Sequence, residues 1–245
     1  MDAYQPVMKS IRFGPEKTAQ LIETLPTISA VDVVRWFALP ALRHTIVVHG
    51  GGQAVDRLLH TRLKRLLADS LVRFAEDNPA LVADGGTDAG VMEMLGDAYA
   101  LVNATFPLMG ITVGNAITYP GGPPPAEGRF PLNPDHTHFV VLEANDFGAE
   151  SQLLVGMARS SGPSGLAMVI NGGQIVRNEV EMHARLGTPI IAIKGSGRYA
   201  DDLANAAPGD PLRTPFDEGS YLAIFDMDHE TPEALYHLIR RTLLR

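Results

Sequence analysis

Four glycine-rich segments hold the residues with the most chemical promise: His49-Gly50-Gly51-Gly52-Gln53, Asp84-Gly85-Gly86-Thr87-Asp88-Ala89-Gly90, Asn171-Gly172-Gly173-Gln174 and Lys194-Gly195-Ser196-Gly197-Arg198. Glycine lets backbone N–H groups approach a ligand, and a helix that starts there adds about half a positive charge at its N-terminus. Phosphate is the ligand that suits such a cradle. Lys194 and Arg198 flank the fourth segment and are the charged contacts expected for a pyrophosphate, the guanidinium being able to fork across two oxygens. Their alternative is a surface salt bridge. Glycine also serves simply to tighten a turn, so one such segment decides little and the four together carry the reading.

Position by position, none of the four is a standard nucleotide signature. Val55 stands where a dinucleotide fingerprint needs Gly or Ala, and no segment ends in the Gly-Lys-Ser/Thr of a Walker A loop. Neither NAD nor any other cofactor is called for. His136 and His138 form a His-x-His pair, but no third ligand follows at a binding spacing, so no metal is expected. Asp226-Met227-Asp228-His229 precedes Thr231 and Pro232, a helix start at which acidic side chains are favoured, and reads as a solvated cap.

The elements that position these segments are short apolar runs rich in β-branched residues: 45–48, 80–83, 108–113, 139–142, 166–170, 189–193 and 221–225. Each reads as a buried strand. Helical spacing separates most of them, as in Val55, Leu58, Leu59, Leu63, Leu66 and Leu67, or Met92, Leu95 and Ala98. The alternation predicts an α/β protein, a Rossmann-like three-layer αβα arrangement over a mostly parallel sheet of about seven strands, in one domain covering 1–245. The glycine segments then fall at the carboxyl edge of that sheet, with the second and third lining one crevice. Residues 119–134, with Pro120-Gly-Gly-Pro-Pro-Pro125, read as an inserted surface loop suited to a lid. The last helix turns Leu235, Leu238, Ile239 and Leu243 to one face, which must pack on the sheet or on a second subunit.

Composition narrows the partners. The 245 residues are 45% apolar, enough for a substantial core, and carry a net charge of -8, which repels a nucleic acid backbone. No cysteine occurs, so thiolate chemistry and disulfides drop out. The start, MDAYQPVMKS, lacks the pattern of a secretory signal, and no apolar run reaches the roughly 18 residues of a membrane span. The cytoplasm and a homo-oligomer are the expectations.

Read in order, the motifs resemble the LSDAT family, prokaryotic relatives of the N-terminal SLOG region of melastatin-type TRP channels. The resemblance spans roughly residues 35–203. It rests on Trp36-Phe-Ala-Leu-Pro40 leading into Ile46-Val-Val-His-Gly-Gly51, Arg62-Leu-Lys64, and the Gly85-Gly-Thr-Asp-Ala-Gly-Val-Met92 turn. Asn133-Pro-Asp-His-Thr-His-Phe139, Phe147-Gly-Ala-Glu150, Asn171-Gly-Gly-Gln174 and Gly195-Ser-Gly-Arg-Tyr-Ala-Asp-Asp-Leu203 complete the series. It implies a Rossmann-like fold that senses a small nucleotide-derived ligand, ADP-ribose and its relatives being the obvious class, on behalf of an effector outside this chain. Asp88 departs from the family's neutral residue or histidine and suits ribose hydroxyls better than phosphate.

A neighbouring SLOG branch, the LOG phosphoribohydrolases, is similar at Gly172-Gly173-Gln174-Ile175-Val176-Arg177-Asn178-Glu179. By that likeness Glu179 would act on an N-glycosidic bond, with Arg159 as its partner. Ile175 and Val176 replace the second glycine and the threonine of those enzymes, and Glu179 could instead complement a helix dipole. Three readings stand: a ligand-sensing module, a nucleotide N-glycosidase and a structural assembly subunit.

Overall fold

Strands form where the β-branched runs are closed by glycine turns. In the computed structural model, which describes residues 6–53, 55–160, 162, 164–217 and 220–244, all seven expected runs are strands. The first five residues of the chain lie outside the described residues. A hairpin of β1 (Val7–Arg12) and β2 (Thr18–Thr24) comes first, followed by α1 (Ala30–Trp36), whose Ser29 cap accepts the Asp32 N–H. Then come β3 (His44–Gly50), α2 (Arg57–Leu67), a π-helical stretch (Ala68–Val72) leading into α3 (Arg73–Asp77), and β4 (Ala80–Asp84). The central part holds α4 (Gly90–Leu101), β5 (Leu108–Val113), the short β6 (Ile117–Thr118) and β7 (Phe130–Pro131), β8 (His138–Leu142) and α5 (Ser151–Met157). The chain continues through β9 (Gly165–Ile170), α6 (Gln174–Arg185), β10 (Ile190–Lys194), α7 (Arg198–Asn205), α8 (Thr214–Asp217), β11 (Leu222–Asp226) and α9 (Pro232–Leu243).

The main sheet has nine strands rather than about seven, in the order β1-β2-β8-β5-β4-β3-β9-β10-β11, parallel throughout except for the β1–β2 pair. The hairpin is the addition. Its strands interrupt their apolar residues with Lys9, Arg12, Gln20 and Glu23, so no continuous run announces them, although Ile11, Ala19, Leu21 and Ile22 are buried. From β3 the chain steps outward through β4 and β5 to β8, then crosses back to β9 on the other side of β3 and steps away through β10 and β11. The order therefore reverses between β3 and β9, and their diverging carboxyl-end loops must leave a crevice there.

Helices cover both faces. Ile46 and Val48 face α2, α4 and α9, whereas Val47 faces α1 and α5, as the two-residue strand period requires. Each large side chain buried this way contributes about 1.5–3 kcal/mol. The apolar face of α9 packs inward, with Leu235, Leu238, Ile239 and Leu243 in that core, so it is the sheet and not a second subunit that takes it. Residues 119–134 are more than a surface loop. Phe130 and Pro131 pair with β6, and Tyr119, Leu132 and Asn133 are buried, because the chain returns from its proline-rich excursion to pass beneath the second glycine turn. Among the described residues no helix is long and apolar enough to cross a membrane.

Candidate functional site

At the β3/β9 crossover lies a cavity of about 450 Å³, a volume in the range of small-molecule sites. It is bounded by the first, second and third glycine segments, through Gly50, Gly51, Gly52, Gly85, Thr87, Gly173 and Gln174, and by Arg198 from the fourth. Gly86 and Gly172 turn away from it. At Gly50 a side chain is impossible, since its Cβ would stand 2.3 Å from the Cβ of Val91 at the start of α4.

The third segment opens α6 with Gly173 as cap and no side-chain cap hydrogen bond. Gln174, Ile175 and Val176 border the cavity, so the first turn of the helix presents its N–H groups and positive dipole end to whatever binds there. Arg198 reinforces that charge. Its guanidinium lies over Gly51 and Gly173 so closely that a Cβ on Gly173 would come within 2.8 Å of a terminal nitrogen. Arg198 has φ 52°, a left-handed conformation that a non-glycine residue adopts at a cost, and it makes no ion pair among the described residues. Asn171, also left-handed at φ 58°, braces the loop beneath: its amide donates to the Ser196 carbonyl and its backbone N–H to the Ser196 hydroxyl. Ser196 is fully buried by this role.

The rest of the fourth segment faces elsewhere. Lys194 donates to Asp226 at 2.9 Å, outside the cavity, and Gly195 and Gly197 do not border it. Asp88 accepts from Asn133 and is likewise outside. Arg159 is exposed beyond the end of α5 and does not border the cavity. α5 runs against the strand direction, so its far end comes to the opposite edge of the sheet.

Glu179 is brought into the cavity, but not as a first-turn dipole partner. It sits in the second turn of α6, only 3% exposed, and is held from two sides. Ser151 Oγ donates to Oε1 at 2.7 Å, and His49 Nδ1 donates to Oε2 at 2.8 Å. Burial opposes ionisation of this carboxyl, yet the His49 and Ser151 contacts outweigh it and hold the group below its ordinary value. The Nε2 atoms of His49 and His183 are 2.7 Å apart, within hydrogen-bond distance. Burial first, then the His49 and Arg159 charges, push His183 well below the usual histidine range, and its Nδ1 has no partner among the described residues.

A second carboxyl group lines the same cavity. Glu150 is 7% exposed, accepts the Gly148 N–H at 2.8 Å, and is raised above its ordinary value by burial, with Glu179 adding to the effect. Around it are Met92, Leu154 and two half-exposed rings, Phe130 and Phe147, whose centroids are 5.9 Å apart at 59°. Sequence reasoning passed over Glu150, His49 and the two phenylalanines as site residues. The Phe147-Gly-Ala-Glu150 motif after a strand end could have flagged Phe147 and Glu150, and the place of His49 at the head of the first glycine segment could have flagged it, whereas nothing local marks Phe130.

The cavity is thus bipolar: a cationic end at the α6 N-terminus and Arg198, an acidic floor at Glu179 and Glu150, and an aromatic mouth. Residues 43–235 match the family described as SLOG in TRPM, prokaryote. The chain is also similar to the transient receptor potential cation channel subfamily M member 2 of Mus musculus, 25% identical over 243 residues that cover 84% of this chain and 16% of the channel. Subfamily M member 7 of Rattus norvegicus is 25% identical over 215 residues, 74% of this chain and 11% of the channel. The chain therefore spans less than a fifth of the length of these curated relatives.

Proposed function

The chain belongs to the family described as SLOG in TRPM, prokaryote, and from that premise we propose that it binds a nucleotide-derived phosphate ligand of the ADP-ribose class in the β3/β9 crevice. One observation carries the reading: the uncapped N-terminus of α6 and the unpaired Arg198 face the same cavity as two buried carboxyl groups and two aromatic rings. Phosphate takes the cationic end, where backbone N–H groups and guanidinium converge. Ribose hydroxyls donate to Glu179 and Glu150, and a base stacks at Phe130 and Phe147, since aromatic faces accept any base. A chain serving only as a structural subunit has no use for such a cavity. Titration calorimetry with ADP-ribose, AMP and inorganic phosphate tests this; binding of the first two with phosphate much weaker is expected, and no heat from any of them overturns it.

Glycosidic hydrolysis is favoured over binding alone by one specific feature. Glu150 and Glu179 share the cavity while their surroundings drive their proton affinities apart, the pattern of an acid and base pair. In that reading Glu179 steadies the ribosyl cation or takes a proton from water, Glu150 protonates the leaving base, and Arg159 has no part. Chromatography for free base after incubation with AMP, NAD and ADP-ribose decides it. Base release that Glu179→Gln lowers by orders of magnitude, with affinity retained, supports hydrolysis; none from the native chain refutes it.

A further inference from the structure

The two ends of the main sheet are protected differently. β1, at one end, carries Lys9 and Arg12 along its exposed length, the usual charged guard against edge pairing. β11, at the other end, reads Leu222-Ala-Ile-Phe-Asp226, with no charge, proline or bulge before its last residue. Its one neighbour is β10, in parallel register, with Ile190 N–H donating to the Tyr221 carbonyl. Since peptide groups alternate along a strand, Leu222 and Ile224 direct theirs outward, and no strand among the described residues lies beyond them.

Beside this edge runs a groove of about 540 Å³ between β11 and α9, with Ala223, Ala234 and Leu238 as its apolar floor, while the side chains of Leu222 and Ile224 pack on the other face of the sheet. Its ends are oppositely charged. α9 returns antiparallel to β11, so Glu230, held by the Asp226 N–H at 2.9 Å, marks the carboxyl end of the strand and Arg241 the amino end. Arg241 makes no ion pair among the described residues. A two-fold axis beside β11 would set the strand antiparallel to its copy, and the Glu230 of each chain would meet the Arg241 of the other.

We propose that β11 is a self-association edge, pairing with β11 of a second copy of this chain so that the two main sheets join into one. The surface is self-complementary, as a two-fold interface must be, in backbone polarity, in apolar floor and in charge. It lies away from the β3/β9 cavity and stands independently of what that cavity binds.

Sedimentation equilibrium of the full chain at micromolar concentration tests the proposal. A dimer is expected, and Ile224→Pro, which removes an outward N–H that no strand among the described residues uses, should leave a monomer. Where that variant fails to fold, the exposed pair serves: Glu230→Arg or Arg241→Glu alone should weaken the dimer roughly tenfold or more, because each creates two like-charge contacts. The double reversal should restore it, and an unchanged circular dichroism spectrum in all three shows that the fold is kept. A native monomer at 100 micromolar or above, as a groove made for a foreign peptide would give, overturns the proposal. So does a dimer or higher assembly indifferent to both reversals.

Discussion

Two histidine–carboxylate constellations lie at the carboxyl edge of the sheet, and they differ in what lies beside them. In one, His136 Nε2 meets Asp84 Oδ1 at 2.9 Å, Nδ1 meets Asn133 Oδ1 at 3.1 Å, and the ring stacks on Phe139, with the His136 and Asp84 side chains fully enclosed. In the other, His49 and Glu179 are nearly as enclosed, at 0% and 4%, yet both border the cavity. Asp84 also accepts the Gly86 N–H, so the sealed group ties the β4 turn to the segment entering β8. Its hydrogen bonds all run to the protein itself, those of the Asp84 carboxylate through Oδ1, and Oδ2 is buried with no partner among the described residues. The open group keeps Glu179 ionised where a ligand can reach it. Burial alone does not separate a brace from a site; what does is whether the neighbouring space is protein or cavity.

The comparison breaks most sharply at His136. Replacing it with Ala strands the Asp84 carboxylate in the core, and loss of one member of a buried pair costs about 3–5 kcal/mol. Urea unfolding should show that loss, while any ADP-ribose affinity of the protein that remains folded is unchanged. Equal losses of affinity and stability would make the sealed group part of the site.

On the open side, Arg198→Ala should reverse the pattern. Losing a charged hydrogen bond to phosphate costs about 1.5–3 kcal/mol, tenfold or more in dissociation constant, with little change in unfolding. Lys194→Ala, on the same segment but bonded to Asp226, should leave affinity where it was. Calorimetry on the two variants checks both, and equal effects would place the phosphate outside the cavity.

A smaller effect sharpens the contrast through pH. His183, behind His49, has its proton affinity lowered in the fold, so its contribution to stability is complete above the unfolded histidine value, about 6.5, and is lost as pH falls below it. His138, pushed down to about 4 by burial, acts in the same sense. Unfolding free energy should drop between pH 6.5 and 5. His183→Gln, which removes one titrating group, should flatten that slope by up to about 1.4 kcal/mol per pH unit. An unaltered slope would mean that the His49–His183 contact forms with His183 charged.

Much was legible from the chain alone. The β-branched runs and their glycine closures set seven parallel strands and the edge on which the loops fall, because strand period and turn chemistry are local properties. Thr231 as a cap with Pro232 after it likewise marked the start of α9. The hairpin of β1 and β2 was not legible, since its stability comes from pairing with β8 and not from an apolar run of its own. At the site, the chain announced glycines and charges without saying which way they face. Gly173 and Arg198 meet over one cavity while Lys194, four residues from Arg198, turns to Asp226, because a strand end and a helix start project side chains in different directions. The strand reversal between β3 and β9, and the approach of His49, Glu150 and Glu179 from three separate segments, are long-range events. They arise only when the crossover from β8 to β9 closes, and so only the tertiary structure decided them.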